Sequence, residues 1–444
     1  MIDGTVSPTL EAVVGGANVV AWDAMEPAWQ RRIGRAVFPA TPIGELVFPN
    51  NQAELAAVVG WANHTRSPLL PCGRGSKLDW GGLVKPNQAM PLVAVSSQRI
   101  NRLIEHAVGD LTVTVEAGTG FAELQQILGQ VGQFLAIDPA YPEEATIGGI
   151  VATGDTGSLR QRYNSVRDML LGLSFVRADG RVAKAGGRVV KNVAGYDLMK
   201  LLTGSYGTLG FISQVTFRVY PLPEASQTVV LSGAIADLEA VARTVLSSAL
   251  TPTQVDWLSV AVMRSLAISA TAGLALRFQS IAESVAEQSG RLVEMGQALG
   301  LDISFYQGAD ETDLWQRLQA EMLPPSSDQT LTGKIGIRPS QTGWLLQQLE
   351  GLSLSHACIQ IHAASGLGRL VVGSPLLAPE VLLQLRQCCQ RHSGFLSVLQ
   401  APVALKQQID VWGYSGNALH LMQALKQQFD PASLLSPHRF VGGI

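Results

Sequence analysis

A glycine-rich segment between Pro71 and Gly82 reads P-C-G-R-G-S-K-L-D-W-G-G and directly follows the short apolar run 68–70. A glycine loop after a strand can press several backbone N–H groups against a pyrophosphate, because glycine allows conformations and close approaches that other residues do not. The loop fits neither G-x-x-x-x-G-K-[ST] nor G-x-G-x-x-G, the two common nucleotide-binding fingerprints. Alone, it is equally compatible with a surface turn in a chain of 45 glycines.

Two further glycine clusters follow this loop. Residues 142–157 read P-E-E-A-T-I-G-G-I-V-A-T-G-D-T-G, in which Thr146 begins a run that could start a helix beside a ligand. Residues 191–212 read K-N-V-A-G-Y-D-L-M-K-L-L-T-G-S-Y-G-T-L-G-F-I, and three of their glycines would permit close approach or an unusual backbone dihedral. Each cluster taken singly is explained as well by the general use of glycine in turns.

The order and spacing of the three clusters closely resemble the FAD-binding domain of the vanillyl-alcohol oxidase and p-cresol methylhydroxylase (PCMH) family. The resemblance covers residues 41–223. Within the family, the E subunits of glycolate oxidases (glycolate dehydrogenases) share E-E-A-T-x-G-G, S-V-R-D at 165–168 and K-N-V-A-G-Y-D-L. A weaker likeness continues through H-A-A-S-G-L-G-R-L at 362–370 and F-D-P at 429–431.

This resemblance implies an α+β fold, in which a two-lobed PCMH-type FAD-binding domain is covered by an α+β cap domain over the flavin. We therefore expect an N-terminal extension at 1–40, the FAD-binding domain at 41–223 and the cap domain at 224–444. The last segment of the chain is expected to return to the flavin domain.

The resemblance also implies which residues hold FAD. Backbone N–H groups of the first loop would meet the pyrophosphate, the second cluster would line the flavin and ribityl side, and the third would meet the adenine half. The first group is Cys72, Gly73, Arg74, Gly75, Ser76 and Lys77; the second is Thr146, Gly148, Gly149, Thr153 and Gly157; the third is Gly210 and Ile212. Several relatives attach flavin through a histidine in or near the first loop. Here that loop has none, so noncovalent FAD is expected.

Candidate catalytic residues are fewer. Oxidation of a 2-hydroxy acid needs a base for the hydroxyl and a cation for the carboxylate. His362 opens a stretch comparable to the H-x-G-D-G-N-x-H element of relatives, but the acid and the second histidine are missing, so no metal site is expected. His362 is either the base or a strand-end histidine in a hairpin, and Arg338 and Arg369 are carboxylate clamps or interface arginines. His438 and Arg439 lie where the family's C-terminal segment returns toward the flavin.

Two departures from the family pattern bear on the reaction. Tyr206 stands where many relatives carry glutamate, and S-P-H-R at 436–439 stands where N-P-G-K or N-P-G-R is common. The resemblance implies a subunit that supports oxidation of glycolate to glyoxylate together with a second flavin subunit and an iron–sulfur subunit. The alternatives are a self-sufficient FAD-dependent oxidoreductase acting on another 2-hydroxy acid or alcohol, and a structural subunit with a vestigial flavin site.

The composition agrees with a small-molecule enzyme. The chain has 444 residues, enough for about two or three domains, and is 47% hydrophobic with 15% charged residues. A net charge of −3 argues against nucleic acid as a partner. The four cysteines, Cys72, Cys358, Cys388 and Cys389, form no C-x-x-C pattern, which predicts a reducing compartment and no metal cluster. With no secretory pattern and no membrane-length apolar run, we expect a cytoplasmic protein, either free or peripheral to the membrane through its partners.

Local patterns indicate the elements that must position these residues. Asn50 and Asn51 can cap a helix whose apolar face comprises Leu55, Val58, Val59 and Ala62. The residues 173–177 and 181–183 flank an Asp-Gly pair, which predicts a hairpin. Alternating apolar residues at 213–219 predict a strand buried on one face, ended by prolines that mark a domain boundary. Beyond it, strands alternate with longer helices, which predicts a second, mostly antiparallel α+β domain.

Overall fold

A computed structural model of the chain describes residues 9–87, 89–187, 195–351, 354–373 and 378–444. These residues fall into two compact units. The first comprises Met1–Thr156, Ser165–Pro221 and Tyr414–Ile444, and the second comprises Gly157–Asn164 and Leu222–Gly413. The N-terminal segment expected as an extension and the C-terminal segment thus both group with the residues of the glycine clusters, and the first long boundary falls at Pro221.

The strands and helices are numbered in chain order. The strands are β1 Val19–Ala21, β2 Ile43–Val47, β3 Leu69–Cys72, β4 Leu92–Ser96, β5 Leu103–Ala107, β6 Thr112–Glu116, β7 Gln133–Phe134, β8 Leu170–Val176, β9 Val182–Gly186, β10 Phe211–Arg218, β11 Tyr220–Pro221, β12 Ala225–Ser232, β13 Gln254–Leu258, β14 Gly273–Ser280, β15 Asp302–Gln307, β16 Thr330–Gly336, β17 Cys358–His362, β18 Leu367–Gly373 and β19 Phe395–Gln400. The helices are α1 Leu10–Val14, α2 Pro27–Ala36, α3 Gln52–Thr65, α4 Phe121–Gly129, α5 Ile147–Thr153, α6 Arg160–Tyr163, α7 Val166–Met169, α8 Leu198–Leu202, α9 Ile235–Ser247, α10 Val260–Ser265, α11 Ala282–Ala298, α12 Gly308–Met322, α13 Thr342–Gly351, α14 Pro379–Arg391, α15 Val403–Gln408 and α16 Leu419–Phe429.

The first unit contains two main sheets. A four-stranded sheet has the order β1-β2-β4-β3, in which β4 runs parallel to both β2 and β3. A five-stranded antiparallel sheet has the order β5-β6-β10-β8-β9. The hairpin of β8 and β9 turns at Asp179-Gly180, with Gly180 at φ 79°, so the predicted Asp-Gly hairpin is confirmed. Of the two predicted caps of α3, Asn51 is the N-cap, with its side chain accepting a hydrogen bond from the Glu54 N–H.

The second unit is built on an eight-stranded sheet. Its order is β15-β12-β14-β13-β17-β18-β16-β19, and every neighbouring pair is antiparallel. Helices α9, α11, α13 and α14 contribute buried apolar side chains to one core cluster with this sheet, including Leu238, Leu292, Leu345 and Leu385. The mixture of helices and antiparallel strands confirms the predicted α+β class.

The prediction for the strand at 213–219 is wrong in one respect. β10 is a central strand, hydrogen-bonded to β6 on one side and β8 on the other. Thr216, expected on a solvent face, is only 8% exposed, and its hydroxyl lies 2.9 Å from that of Thr114 on β6. Residues 191–194 of the third glycine motif lie outside the described residues.

Among the described residues, no helix combines the length and the hydropathy needed to cross a membrane. The four cysteine thiols are free.

Candidate functional site

A cavity lies within the first unit. It is lined by residues of the three glycine clusters together with Ser97 and Arg439. The lining residues are Pro71, Cys72, Gly73, Arg74, Gly75, Ser76, Lys77, Leu78, Ser97, Thr146, Gly148, Gly149, Ala152, Thr153, Tyr206, Gly207, Gly210, Phe211, Ile212 and Arg439. The tertiary structure therefore brings together three segments that are up to about 140 residues apart in the chain.

The first wall is the loop that leaves the carboxyl end of β3. Because β3 pairs in parallel with β4, the loop lies next to the end of β4, where the Ser96 hydroxyl donates to the Gly73 carbonyl at 2.7 Å. Gly75 has φ +81°, a left-handed conformation that side chains disfavour. The pairing of β3 with β4 and the hydrogen bond from Ser96 thus fix the loop backbone, and the loop residues line the cavity.

The second wall is the start of α5. Thr146 is the N-cap of this helix, and its hydroxyl accepts from the Gly149 N–H at 3.3 Å, which confirms the helix start expected there. A Cβ on Gly73 would lie 2.1 Å from the Thr146 hydroxyl oxygen, and a Cβ on Gly148 would lie 2.7 Å from the Ala117 Cβ. Gly73 therefore packs directly on the Thr146 side chain and Gly148 directly on Ala117, so a larger residue at either position would force its neighbour to move.

A buried ion pair joins these two walls. The Lys77 ammonium donates to the Asp155 carboxylate at 3.0 Å, and the two side chains are 4% and 3% exposed. The same carboxylate oxygen accepts from the Ala140 N–H at 2.7 Å. The charge of Lys77 is thus neutralised inside the protein, so the interaction fixes the end of the loop against the end of α5.

The C-terminal segment supplies a third support. The Arg439 guanidinium is buried and donates to the Leu78 carbonyl at 2.6 Å and to the Lys77 carbonyl at 3.3 Å. It also lies 5.8 Å from the ring centre of Tyr206, within cation–π range. Burial lowers the pKa of Arg439, and the nearby Tyr206 and Asp79 oppose that shift. Two loop carbonyls therefore accept hydrogen bonds from a side chain that is more than 300 positions away in the sequence.

The Cys72 thiol is unreactive in this setting. Its burial raises the pKa to about 12, and the thiol donates to the Val95 carbonyl at 3.4 Å. A thiol with so high a pKa stays protonated near neutral pH and is a poor nucleophile. Cys72 thus contributes backbone and volume to the cavity.

Two candidate catalytic residues lie in the second unit. His362 ends β17, and Arg369 lies in β18, the partner strand of the same hairpin. The His362 Nδ1 lies 2.7 Å from a carboxylate oxygen of Asp256, which is fully buried in β13. The other Asp256 oxygen accepts from the Ser158 hydroxyl at 2.5 Å and from the Gln360 amide at 2.9 Å. The histidine is therefore fixed by a carboxylate that is itself fully hydrogen-bonded.

The predicted site residues are distributed as follows. The cavity lining includes every predicted FAD contact except Gly157, which belongs to the second unit, and it also includes Arg439. His438 has φ +64°, and its Nε2 lies 3.0 Å from the Asn87 amide nitrogen. Lining residues that sequence reasoning did not select are Pro71, Leu78, Ser97, Ala152, Tyr206, Gly207 and Phe211. Most of them are adjacent in sequence to predicted FAD contacts, and this adjacency could have identified them. No sequence pattern marks Ser97 as a lining residue.

The lining of the cavity suits a ligand that carries a pyrophosphate. Among its described residues none is acidic, and with Lys77 neutralised by Asp155 the cationic side chains are Arg74 and Arg439, which favour an anionic group. The loop backbone comes close to the cavity at Gly73 and Gly75, where N–H groups can serve as phosphate donors. Leu78, Phe211 and Ile212 add apolar surface that suits aromatic rings.

Comparison with known proteins identifies the ligand class. Residues 44–186 match the family model described as "FAD binding domain". The chain is 32% identical over 222 residues to the mitochondrial D-lactate dehydrogenase [cytochrome] of Arabidopsis thaliana, which covers 50% of this chain and 38% of that protein. It is 41% identical over 125 residues to glycolate oxidase subunit GlcE of Escherichia coli, covering 28% and 36%. With glycolate oxidase subunit GlcD of Bacillus subtilis the identity is 30% over 200 residues, covering 45% and 41%. The matches span less than half the length of these relatives.

Solved structures share the fold over nearly the whole chain. p-Cresol methylhydroxylase with substrate bound superposes with a TM-score of 0.76 at 15% identity, covering 97% of this chain and 95% of that one. The 4-ethylphenol oxidase of Gulosibacter chungangensis gives a TM-score of 0.73 at 13% identity, with the same coverage. At these identities the likeness concerns the fold alone. The family match shows that residues 44–186 form an FAD-binding domain, with FAD as the cofactor, and the chain shares its fold with p-cresol methylhydroxylase.

Proposed function

We propose that this chain is the FAD-binding subunit of a glycolate dehydrogenase complex and supports the oxidation of glycolate to glyoxylate. The observation that carries the proposal is the 41% identity over 125 residues to a glycolate oxidase subunit, in a chain whose three glycine clusters line one cavity. Similarity to D-lactate and D-2-hydroxyglutarate dehydrogenases supports the broader class of 2-hydroxy acid oxidation.

In this proposal FAD occupies the cavity of the first unit. The N–H groups of the loop 72–77 bind the pyrophosphate, and the Ser76 hydroxyl adds a donor. Residues of α5 line the flavin and ribityl side, while Gly210 and Ile212 meet the adenine half. FAD, when bound, supplies the two-electron acceptor that oxidation of an alcohol requires.

The cofactor is proposed to be noncovalent. The described lining of the cavity contains no histidine. Its one cysteine, Cys72, has a thiol pKa of about 12 and stays protonated. Neither residue type that commonly attaches to a flavin ring is therefore available in a reactive form. Denaturation in acid should release all the flavin into the supernatant.

The partners are proposed from the same relatives. Conversion of glycolate to glyoxylate releases two electrons and two protons, and the electrons must pass from the flavin to an acceptor. The chain is similar both to a GlcD and to a GlcE protein, each named as a subunit of glycolate oxidase. We infer a second flavin subunit and an iron–sulfur subunit as the partners of this chain.

A second candidate function is a self-sufficient oxidoreductase of another 2-hydroxy acid. The observation that favours it is the pair of His362 and Asp256. If Nδ1 of His362 carries the proton that Asp256 accepts, Nε2 is left unprotonated and can take the proton of a substrate hydroxyl. His362 would then act as general base, with Arg369 as a candidate partner of the substrate carboxylate.

One spectroscopic experiment tests both functions. The purified chain, loaded with FAD, is mixed anaerobically with glycolate or D-lactate, and flavin absorbance near 450 nm is followed. Bleaching by glycolate only after the partner subunits are added supports the first proposal. Bleaching by either acid without partners supports the second, and His362→Asn should then abolish it while exposed His356→Asn does not. Bound FAD that no combination bleaches contradicts both.

A further inference from the structure

Helix α2 packs against the glycine-rich loop that follows β3. The helix precedes the residues that match the FAD-binding family. One face of α2 is buried in a core cluster, where Trp29, Ile33 and Ala36 meet Leu70 of β3 and Leu78 of the loop. The family match begins at residue 44, after the helix has ended. The helix is therefore packed against the loop, and the family match, which begins after the helix, does not account for this contact.

Contact between the helix and the loop is closest at Gly75. A Cβ on this residue would lie 3.1 Å from the Trp29 ring and 3.1 Å from the Arg32 Cδ. Gly75 lines the cavity, whereas the described lining includes neither Trp29 nor Arg32. The two side chains thus contact the loop at Gly75 without lining the cavity.

Arg32 fixes two cavity segments at once. Its Nη1 donates to the Arg74 carbonyl at 2.7 Å, and its Nη2 lies 2.9 Å from the Glu144 carboxylate, two residues before the α5 N-cap. The Arg32 and Glu144 side chains are 36% and 56% exposed, so their ion pair alone contributes little stability. The bond to a loop carbonyl has a more specific consequence.

The carbonyl of Arg74 and the N–H of Gly75 belong to one peptide plane. In a trans peptide these two groups point in opposite directions. Because Arg32 of α2 binds the carbonyl, the Gly75 N–H points away from Arg32, while Gly75 itself lines the cavity. That N–H is one of the predicted pyrophosphate donors.

We propose that Arg32 is a positioning residue for the cofactor: it orients the peptide between Arg74 and Gly75 so that the Gly75 N–H is ready to bind the FAD pyrophosphate. Helix α2 is accordingly part of the FAD-binding apparatus. The inference rests on the proposal that FAD occupies this cavity. It does not depend on the substrate or on the partner subunits.

The test compares Arg32→Met with Arg31→Met on the full-length apoprotein. Methionine keeps much of the aliphatic stem over Gly75 but removes the guanidinium donors, and Arg31 is exposed on the same helix. Titration with FAD, followed by quenching of flavin fluorescence, gives the dissociation constant. We expect Arg32→Met to raise it about tenfold, as expected for one lost oriented donor, and Arg31→Met to leave it within about twofold.

Several outcomes separate the inference from its premise. Wild-type protein that binds no FAD overturns the cavity assignment, whereas wild-type binding with Arg32→Met within about twofold overturns the role of Arg32 alone. Thermal unfolding of both apoproteins shows whether a weaker affinity reflects general destabilisation. If Arg32→Met does not fold, Arg32→Leu decides: this side chain also lacks a donor for the Arg74 carbonyl, so we expect about tenfold weaker FAD binding. Unchanged binding by the leucine variant refutes the proposal.

Discussion

Replacement of Gly73 by alanine tests the architecture of the cofactor cavity most directly. The new Cβ would lie 2.1 Å from the Thr146 hydroxyl oxygen, 2.9 Å from its methyl carbon and 3.0 Å from its Cβ. Comfortable contacts between carbon atoms lie near 3.5–4.0 Å, so the loop and the N-cap of α5 must separate by about 1 Å or more. The clash involves a buried residue, because Thr146 is 3% exposed.

The expected cost has two parts. Overpacking a buried contact costs about 1–3 kcal/mol, and loss of the Thr146 cap adds about 1 kcal/mol. We therefore expect Gly73→Ala to lower the free energy of unfolding by about 2–4 kcal/mol. The displaced loop should also weaken FAD binding by about 10- to 100-fold, since the phosphate donors move with it.

A double-mutant cycle isolates the contact. Thr146→Ala removes both the hydroxyl and the methyl group that the new Cβ would strike. It should cost about 1 kcal/mol by itself and recover part of the loss in the double variant. Gly290→Ala is the matched control, because this glycine lies in α11 of the second unit and a Cβ there meets nothing within 4 Å.

Urea denaturation and FAD titration provide the two readouts. The reasoning fails if Gly73→Ala keeps wild-type stability and an FAD dissociation constant within about twofold of the wild-type value. It also fails if the effects of Gly73→Ala and Thr146→Ala simply add.

Two further predictions concern the C-terminal segment. Lys426→Met removes the ammonium that lies 2.6 Å from the fully buried Asp430 carboxylate, so the free energy of unfolding should fall by about 3 kcal/mol. The control, Lys184→Met at an exposed position, should change it little. Equal denaturation midpoints for the two variants would contradict this prediction. Burial lowers the pKa of His438 below its usual 6.5, so the folded state binds this proton less tightly than the unfolded state does. Its contribution to stability is complete above about pH 6.5 and is lost as the pH falls through the lower folded pKa. His438→Asn tolerates the left-handed backbone and should flatten the melting temperature between pH 7.5 and 5; parallel curves would argue against the assignment.

Local chemistry made much of the first unit predictable. A threonine before I-G-G is a good N-cap, and an Asp-Gly pair between apolar runs favours a tight hairpin, so α5 and the β8–β9 turn followed from neighbouring residues alone. The three glycine clusters likewise indicated segments that line the cavity. Each of these inferences depends on interactions within a few positions of the chain.

Contacts between distant segments could not be predicted in this way. The Arg439 guanidinium binds a carbonyl 361 positions away, and His362 meets Asp256 across a separation of 106. The residues next to an arginine or an aspartate in the sequence do not show which distant group it will contact. That contact depends on how distant segments pack. The burial of Thr216 was missed for a similar reason: only the sheet order places Thr114 beside it.

The sequence by itself determined the presence of a glycine loop after a strand, its two companion clusters and the mixed α+β elements that carry them, because backbone freedom and hydrophobic periodicity are properties of short segments. The tertiary structure decided which loop carbonyls accept hydrogen bonds from Arg32 and Arg439. It also decided that the carboxylate of Asp256 fixes His362. Those choices depend on packing and sheet register, which arise only when distant segments meet.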